Sequence, residues 1–170
     1  HAKVQYSLDW KEDSNRRDFS INAIYSDKDG NLFDPHNGKK DLENGSVKFI
    51  GNADERIQED YLRILRYLRF FLNYSLNKHE PEIYKTIKRN IGGISKLSSE
   101  RLIDELKKLT KSSGFVRLFK DKESLELIEI IFPQLKNLQI FKKLNPYAQK
   151  NLSTVDFTFL ISLFIIDGTD

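Results

Sequence analysis

The strongest constraint on the fold is a helical hydrophobic repeat at residues 56–72. At 100° per residue, its apolar side chains fall on one arc and its charged side chains on the other, which predicts an amphipathic helix at residues 54–74. The side opposite the apolar arc carries Arg56, Glu59, Asp60, Arg63, Arg66 and Tyr67. The simplest interpretation is a solvated face on which Asp60 and Arg63 pair, an interaction that stabilises a helix by about 0.2–0.5 kcal/mol.

Turn signals dominate the first 50 residues, and helical periodicity dominates the remainder. Residues 4–8 alternate like a strand, and residues 23–35 predict two short strands around an Asp-Gly turn. Asp13 or Ser14 is predicted to cap a short helix. Further helices are predicted at residues 81–90, 98–111, 114–120, 122–132 and 155–166. The predicted fold class is therefore an α+β segment followed by an all-helical module, predominantly helical.

Composition excludes several classes of protein. The chain has no cysteine, which excludes disulfide frameworks, zinc-thiolate sites and thiol catalysis, and we expect a cytoplasmic protein. Its longest apolar run, residues 157–166, has half of the about 20 residues that a membrane-spanning helix needs, so no membrane partner is predicted. A net charge of +3 permits a polyanionic partner without requiring one. The chain begins with His1 and has no methionine, so we expect a part of a longer protein.

The chain offers few candidates for a metal site. Asp27 and Asp29 form a D-x-D pattern, but they precede Gly30 in a turn, where aspartate hydrogen-bonds its own backbone. We therefore predict a turn here and no metal. The three histidines lack the spacing of metal ligands and are predicted to lie at the surface; they are His1, His36 and His79.

Four stretches occur in an order that resembles one enzyme family. They are RRDFSINAIY (16–25), DPHNGKKDL (34–42), EDYLRILRYLRF (59–70) and ISKLSSERLIDELKKL (94–109). Together they closely resemble the class II tRNA nucleotidyltransferase and bacterial poly(A) polymerase family, whose members add CCA to tRNA or adenylate RNA 3′ ends. The resemblance implies an α+β remnant of a nucleotidyltransferase head followed by an all-α neck and body. We expect the end of the head at 1–50, a neck with a nucleotide-selecting helix at 51–111, and the start of a truncated body at 112–170.

The resemblance also implies a role for Asp60 and Arg63. Adenine and cytosine both present an exocyclic amino donor beside a ring-nitrogen acceptor, whereas guanine and uracil present the opposite order. A carboxylate beside a guanidinium complements only the first pattern, so Asp60 would accept from the amino group and Arg63 would donate to the ring nitrogen. By analogy with base-edge readout in DNA, each good bidentate contact discriminates by about 1–3 kcal/mol.

Further roles are implied by the same motifs. Asp18 and Asn22, four residues apart, would bind the ribose hydroxyls on one helix face, with Arg16 and Arg17 near the triphosphate. Arg66 would support the nucleotide or the selecting pair; the alternative is an ion pair with Glu59. Tyr61 replaces the proline often found after ED in this family, with little consequence expected. Supporting positions are predicted at Glu59, Asp34, Gly38, Asp41, Glu100 and Arg101, with Gly38 forming a tight turn.

In this family, a D-x-D strand upstream of these motifs supplies the carboxylates that hold Mg²⁺. We therefore predict that the chain alone binds ATP and CTP but is catalytically incomplete, because it has no metal ligands of its own. Its expected partners are tRNA or another RNA 3′ end and the missing N-terminal segment. CCA addition is the preferred activity and poly(A) addition the alternative. Two other interpretations stay open: a noncatalytic RNA-binding remnant and a helical scaffold without a site.

Overall fold

Helices make up most of the structure, a computed structural model in which residues 9–165 are described. Within these residues the α-helices are α1 (Trp10–Arg16), α2 (Gly38–Glu43), α3 (Ala53–Glu59), α4 (Arg63–Tyr74), α5 (Pro81–Asn90), α6 (Ser99–Thr110), α7 (Phe115–Leu118), α8 (Lys122–Ile131), α9 (Pro146–Lys150) and α10 (Phe157–Ile165). Short 3₁₀ helices lie at Ser20–Asn22, Ile91–Lys96, Leu138–Lys143 and Leu152–Thr154. The predominantly helical fold class is confirmed. The strand predicted at residues 4–8 lies outside the described residues.

The predicted hairpin is present. Strands β1 (Tyr25–Ser26) and β2 (Leu32–Phe33) pair in antiparallel order. Between them the Asp27 carboxylate accepts hydrogen bonds from the backbone N–H groups of Asp29 (2.9 Å) and Asn31 (2.8 Å). Gly30 takes a φ of +85°, which a residue without Cβ adopts at little cost. The turn interpretation of the D-x-D pattern is confirmed.

The helix predicted to start at Asp13 or Ser14 starts earlier, so that prediction is wrong. The carboxylate of Asp9 accepts from the backbone N–H of Lys11 at 2.8 Å and caps α1. Ser14 instead lies inside α1, where its buried hydroxyl donates to the Lys11 carbonyl at 2.7 Å. Helix α1 ends at Arg16, and Asp18 lies beyond it in non-helical backbone.

The single helix predicted at residues 54–74 is wrong in one respect, because it is broken into α3 and α4. Asp60 is extended, with φ −154° and ψ 104°. Its carboxylate accepts from the Leu62 N–H at 3.2 Å and its carbonyl accepts from the Arg63 N–H at 3.0 Å, so one residue closes the turn that opens α4. Aspartate competes in this way with helical hydrogen bonding, and periodicity alone does not reveal the break.

The apolar face of α4 forms the centre of the core, packed against α6 and α7. Tyr67, which the helical projection put on the polar side, is only 2% exposed. Its hydroxyl hydrogen-bonds Nδ1 of His79 at 3.1 Å. His79 is itself 5% exposed and stacks on Phe71 with ring centroids 3.6 Å apart, so the prediction of a surface histidine is wrong.

Helix ends with strong caps match their predictions. Helix α5 begins at Pro81 in the first helical position, and α6 begins after Ser98, whose hydroxyl accepts from the Arg101 N–H at 3.4 Å. Helices α2 and α9 were not predicted, since neither of these short segments carries a helical hydrophobic repeat. Among the described residues, no helix has both the length and the apolar character needed to cross a membrane.

Candidate nucleotide-binding cleft

A cleft of about 250 Å³ lies where the end of α1, the α3–α4 break and the start of α6 meet. Its lining residues are Arg16, Arg17, Asp18, Asp60, Leu62, Arg63, Arg66 and Arg101. Six of the seven residues predicted to bind nucleotide are in this set. The seventh, Asn22, donates to the Asp18 carboxylate at 2.5 Å from the 3₁₀ helix Ser20–Asn22. Residues from three separate motifs are therefore brought together.

Asp60 and Arg63 both line the cleft and have separate partners. Nη2 of Arg101 donates to Oδ2 of Asp60 at 2.8 Å. Nη1 of Arg63 donates to Oε2 of Glu59 and to the Arg56 carbonyl, both at 2.5 Å. The i,i+3 ion pair of the simplest interpretation is absent from the described contacts, because the helix break separates the two side chains. Each group is thus held in place from outside the pair.

Glu59 is the acceptor that holds two guanidinium groups. Its Oε2 accepts from Nη1 of both Arg56 and Arg63. The hydrogen bond from Arg63, with the nearby charge of Arg56, holds the pKa of Glu59 below its ordinary value. The carboxylate therefore stays ionised near neutral pH.

Asp18 also lines the cleft and is 5% exposed. Burial by itself raises the pKa of Asp18, but hydrogen bonds from Arg66 and Asn22 outweigh it, so the pKa lies below the ordinary value. Arg66 therefore pairs with Asp18 and not with Glu59, the alternative partner considered from sequence. The carboxylate and the amide predicted to meet do meet, although on a 3₁₀ turn and not on an α-helix.

Arg16 and Arg17 supply positive charge beside Asp18. Both pair with Asp13, at 3.6 Å and 2.9 Å respectively, and both side chains are about half exposed. Arg17 also lies over the ring of Tyr25, 5.9 Å from its centroid. Exposed guanidinium groups of this kind can turn towards an anion at modest cost, because surface ion pairs contribute only about 0–1 kcal/mol.

The DPHNGKKDL segment supports the 3₁₀ turn that carries Asn22. The Asp34 carboxylate accepts from the backbone N–H groups of Gly38 (2.7 Å) and Lys39 (2.9 Å). The Asp41 carboxylate accepts from the hydroxyl of Ser20 at 2.7 Å. The tight turn predicted at Gly38 falls instead on Asn37, which has a φ of +57°.

Gly38 has a different reason for being glycine. A Cβ at this position would lie 2.1 Å from the carbonyl oxygen of Ser20. The missing side chain therefore lets α2 pack directly against the backbone that carries Asn22.

The start of α6 contributes one of its two predicted residues. Arg101 reaches the cleft and binds Asp60, whereas Glu100 is exposed and is not among the lining residues. Tyr61, in place of the family's proline, packs its ring closely on Gly93. A Cβ on Gly93 would lie 2.1 Å from a carbon atom of the Tyr61 ring. Lys96 lies over the same ring at 5.3 Å. Tyr61 therefore anchors the break between α3 and α4.

Arg56 was missed as a site residue. It lies on the charged side of the predicted helix, three residues before Glu59 and seven before Arg63, and this spacing was the available signal. Its Nη2 donates to the carbonyl oxygens of Arg16 (3.1 Å) and Arg17 (2.6 Å). These are contacts across 40 and 39 residues of sequence, which periodicity does not predict.

The described residues do not form a metal site. No group of three or more histidine, aspartate or glutamate side chains between residues 9 and 165 is arranged to hold an ion. The divalent metal implied by the family resemblance therefore does not fit the residues present in this part of the chain.

Comparison with known proteins gives concordant matches. The family described as "Poly A polymerase head domain" matches residues 1–48, and "Probable RNA and SrmB-binding site of polymerase A" matches residues 78–139. The human protein named CCA tRNA nucleotidyltransferase 1, mitochondrial, is 39% identical over 96% of this chain and 38% of its own length. The CCA-adding enzyme of Staphylococcus haemolyticus is 36% identical over 96% of this chain and 39% of its own length.

A solved structure described as a tRNA-processing enzyme with CTP has a TM-score of 0.72. It is 26% identical and is matched over 96% of this chain and 48% of its own. The chain thus spans 38% and 39% of the length of the two curated relatives.

Proposed function

Because the chain belongs to the family of the CCA-adding tRNA nucleotidyltransferases and poly(A) polymerases, we propose that its cleft selects the nucleotide that the whole protein adds to an RNA 3′ end. The observation that carries the proposal is the convergence of six predicted residues on one cleft. In the proposed arrangement the base of the nucleotide contacts Asp60 and Arg63, and its sugar contacts Asp18.

Base selection follows from the hydrogen-bonding capacity of the two side chains. A carboxylate offers about four acceptor sites, and the described contacts of Asp60 use one on each oxygen, so the carboxylate can still accept from an exocyclic amino group. Among the described contacts Arg63 uses only Nη1, which leaves Nη2 to donate to a ring nitrogen. Cytosine and adenine satisfy both groups, whereas uracil and guanine set donor against donor and acceptor against acceptor.

The proposed substrates are CTP and ATP, with a tRNA 3′ end as acceptor and CCA addition as the reaction. The names of the relatives support this choice over poly(A) addition, which is the alternative. Mg²⁺ is the proposed divalent metal, held by carboxylates outside the described residues, so we expect the chain alone to bind nucleotide without transferring it. We also propose that residues 1–50 belong to the head, residues 51–111 to the neck and residues 112–170 to the body. The proposed location is cytoplasmic, although the human relative is named as mitochondrial.

The proposal is tested by calorimetric titration of ATP, CTP, GTP and UTP into the full-length protein and into this chain. We expect ATP and CTP to bind more tightly than GTP and UTP by about 1–3 kcal/mol, the worth of a bidentate contact to a base edge. Arg63→Ala is expected to abolish this difference. Arg89→Ala is the matched control, because Arg89 is an exposed arginine on α5 that pairs with Asp54 and does not line the cleft.

Equal affinity for all four nucleotides in the unmodified full-length protein would contradict the proposal. Salt-sensitive RNA binding that is indifferent to Arg63→Ala would then favour the noncatalytic RNA-binding alternative.

A further inference from the structure

Arg56, in the middle of α3, is hydrogen-bonded to three residues that line the cleft but does not line it itself. On one side, its Nη2 donates to the carbonyl oxygens of Arg16 and Arg17. On the other side, its Nη1 donates to Glu59, which in turn accepts from Arg63. The carbonyl oxygen of Arg56 also accepts from Arg63. Arg56 is thus hydrogen-bonded to the backbone of the arginine pair, and it orients Arg63 both directly, through its own carbonyl oxygen, and indirectly, through Glu59.

The side chain of Arg56 is fixed and largely dry. It is 14% exposed, and its Nε is buried without a hydrogen-bond partner among the described residues. Leaving a buried donor unsatisfied costs about 1–3 kcal/mol, so a freely solvated arginine would not adopt this position. The hydrogen bonds made by Nη1 and Nη2 therefore hold the Arg56 side chain in place, although Nε is left without a hydrogen bond among the described residues.

We propose that Arg56 is a positioning residue that couples choice of base to placement of the triphosphate. The inference rests on the proposed function, in which Arg63 reads the base and Arg16 and Arg17 lie near the phosphates. Arg56 fixes the backbone of the arginine pair and, through Glu59, the direction of the Arg63 guanidinium. The groups that bind the phosphates and the group that binds the base are then held by one residue. Arg63 therefore cannot move to form hydrogen bonds with a mismatched base.

Arg56→Lys tests this inference because lysine keeps the charge but presents one nitrogen, which does not span Glu59 and two carbonyl oxygens at once. Affinities of the full-length protein for CTP and UTP are measured by calorimetry. We expect the ratio of CTP to UTP affinity to fall by about tenfold, corresponding to about 1.4 kcal/mol of discrimination. Arg89→Lys is the matched control and is expected to leave the ratio unchanged.

A purely structural role would weaken the binding of CTP and UTP by the same factor and leave their ratio intact, and that result would overturn the inference. If Arg56→Lys does not fold, Glu59→Gln replaces it, since that variant keeps the shape of the link but removes its charge, and Glu59 is about half exposed. The same fall in the ratio supports the inference, and an unchanged ratio overturns it. An unmodified protein that does not discriminate CTP from UTP would overturn the proposed function itself, and the inference with it.

Discussion

At the scale of single residues, spacing predicted one contact between near neighbours, but it did not predict the partners of Asp60, Arg63 or Arg66. Asp18 and Asn22 are four residues apart, and their contact was expected from spacing alone. Arg66 is 48 residues from Asp18, and Arg101 is 41 residues from Asp60. The spacing of residues along a helix suggests only carboxylates a few positions away as partners for an arginine. The residues of the cleft were therefore found from motifs, while the contacts that hold them required the fold.

A buried ion pair outside the cleft gives a prediction about stability. Glu105 is 1% exposed and accepts from Nε of Arg69 at 2.6 Å, which links α6 to α4. Arg69→Met leaves the carboxylate buried, with Lys108 3.8 Å away as its remaining cation. We expect the free energy of unfolding in urea to fall by about 3–5 kcal/mol, because an uncompensated buried charge is costly.

Two further variants check the cause of that loss. Lys108→Met removes an exposed partner and is expected to cost less than about 1 kcal/mol. Arg69→Met combined with Glu105→Leu removes both buried charges and is expected to recover most of the lost stability. A single Arg69→Met variant as stable as the Lys108→Met variant would contradict the prediction.

At the scale of elements, helices were predicted well where a capping residue marks them and poorly where one interrupts them. Pro81 and Ser98 mark the starts of α5 and α6 in the sequence as well as in the structure. Asp60 is also a capping type of residue, but it sits inside an unbroken hydrophobic repeat, so the repeat predicted one continuous helix. Tyr67 was put on the polar side because it projects away from the apolar arc, and it is buried because Phe49 and His79 from other parts of the chain cover it.

Gly38→Ala is predicted to disrupt the packing of α2 on the turn that carries Asn22. The added methyl group would overlap the backbone carbonyl of Ser20, which moves only if the turn moves. We expect the free energy of unfolding to fall by about 1–3 kcal/mol, as for overpacked interiors. Gly92→Ala is the control, because a Cβ there meets nothing within 4 Å. Equal stability of the two variants in urea would count against this account of Gly38.

At the scale of the whole molecule, burial was the property least accessible to sequence reasoning. His79 was predicted at the surface because it is polar and lacks metal-ligand spacing. In the structure it is enclosed by Phe71 from α4 and by Ser124 from α8, whose hydroxyl lies 2.8 Å from Nε2. Such enclosure depends on elements that are 45 residues apart and meet only in the folded chain.

The contact between His79 and Asp121 predicts how stability depends on pH. Nε2 of His79 lies 3.4 Å from Oδ1 of Asp121, and this contact is the main reason that the pKa of Asp121 is lowered from 3.8 to about 2. Because the folded pKa is below the unfolded one, the contribution of the carboxylate is fully present above about pH 4 and is lost as the pH falls towards about 2. The stability difference between the unmodified chain and Asp121→Asn should therefore shrink across this range in urea denaturation. A constant difference would contradict the assignment.

The break between α3 and α4 also has a mechanical consequence. Helix α3 packs against α5, whereas α4 packs against α6 and α7, so the two helices have different neighbours. Asp60 belongs to the joint between them and Arg63 to the first turn of α4. Hydrogen bonds cross this joint in both directions, because Arg63 of α4 is bonded to α3 and Asp60 is bonded to Arg101 of α6. The joint is therefore braced on both sides, and the separation between the carboxylate and the guanidinium is set by the folded chain itself.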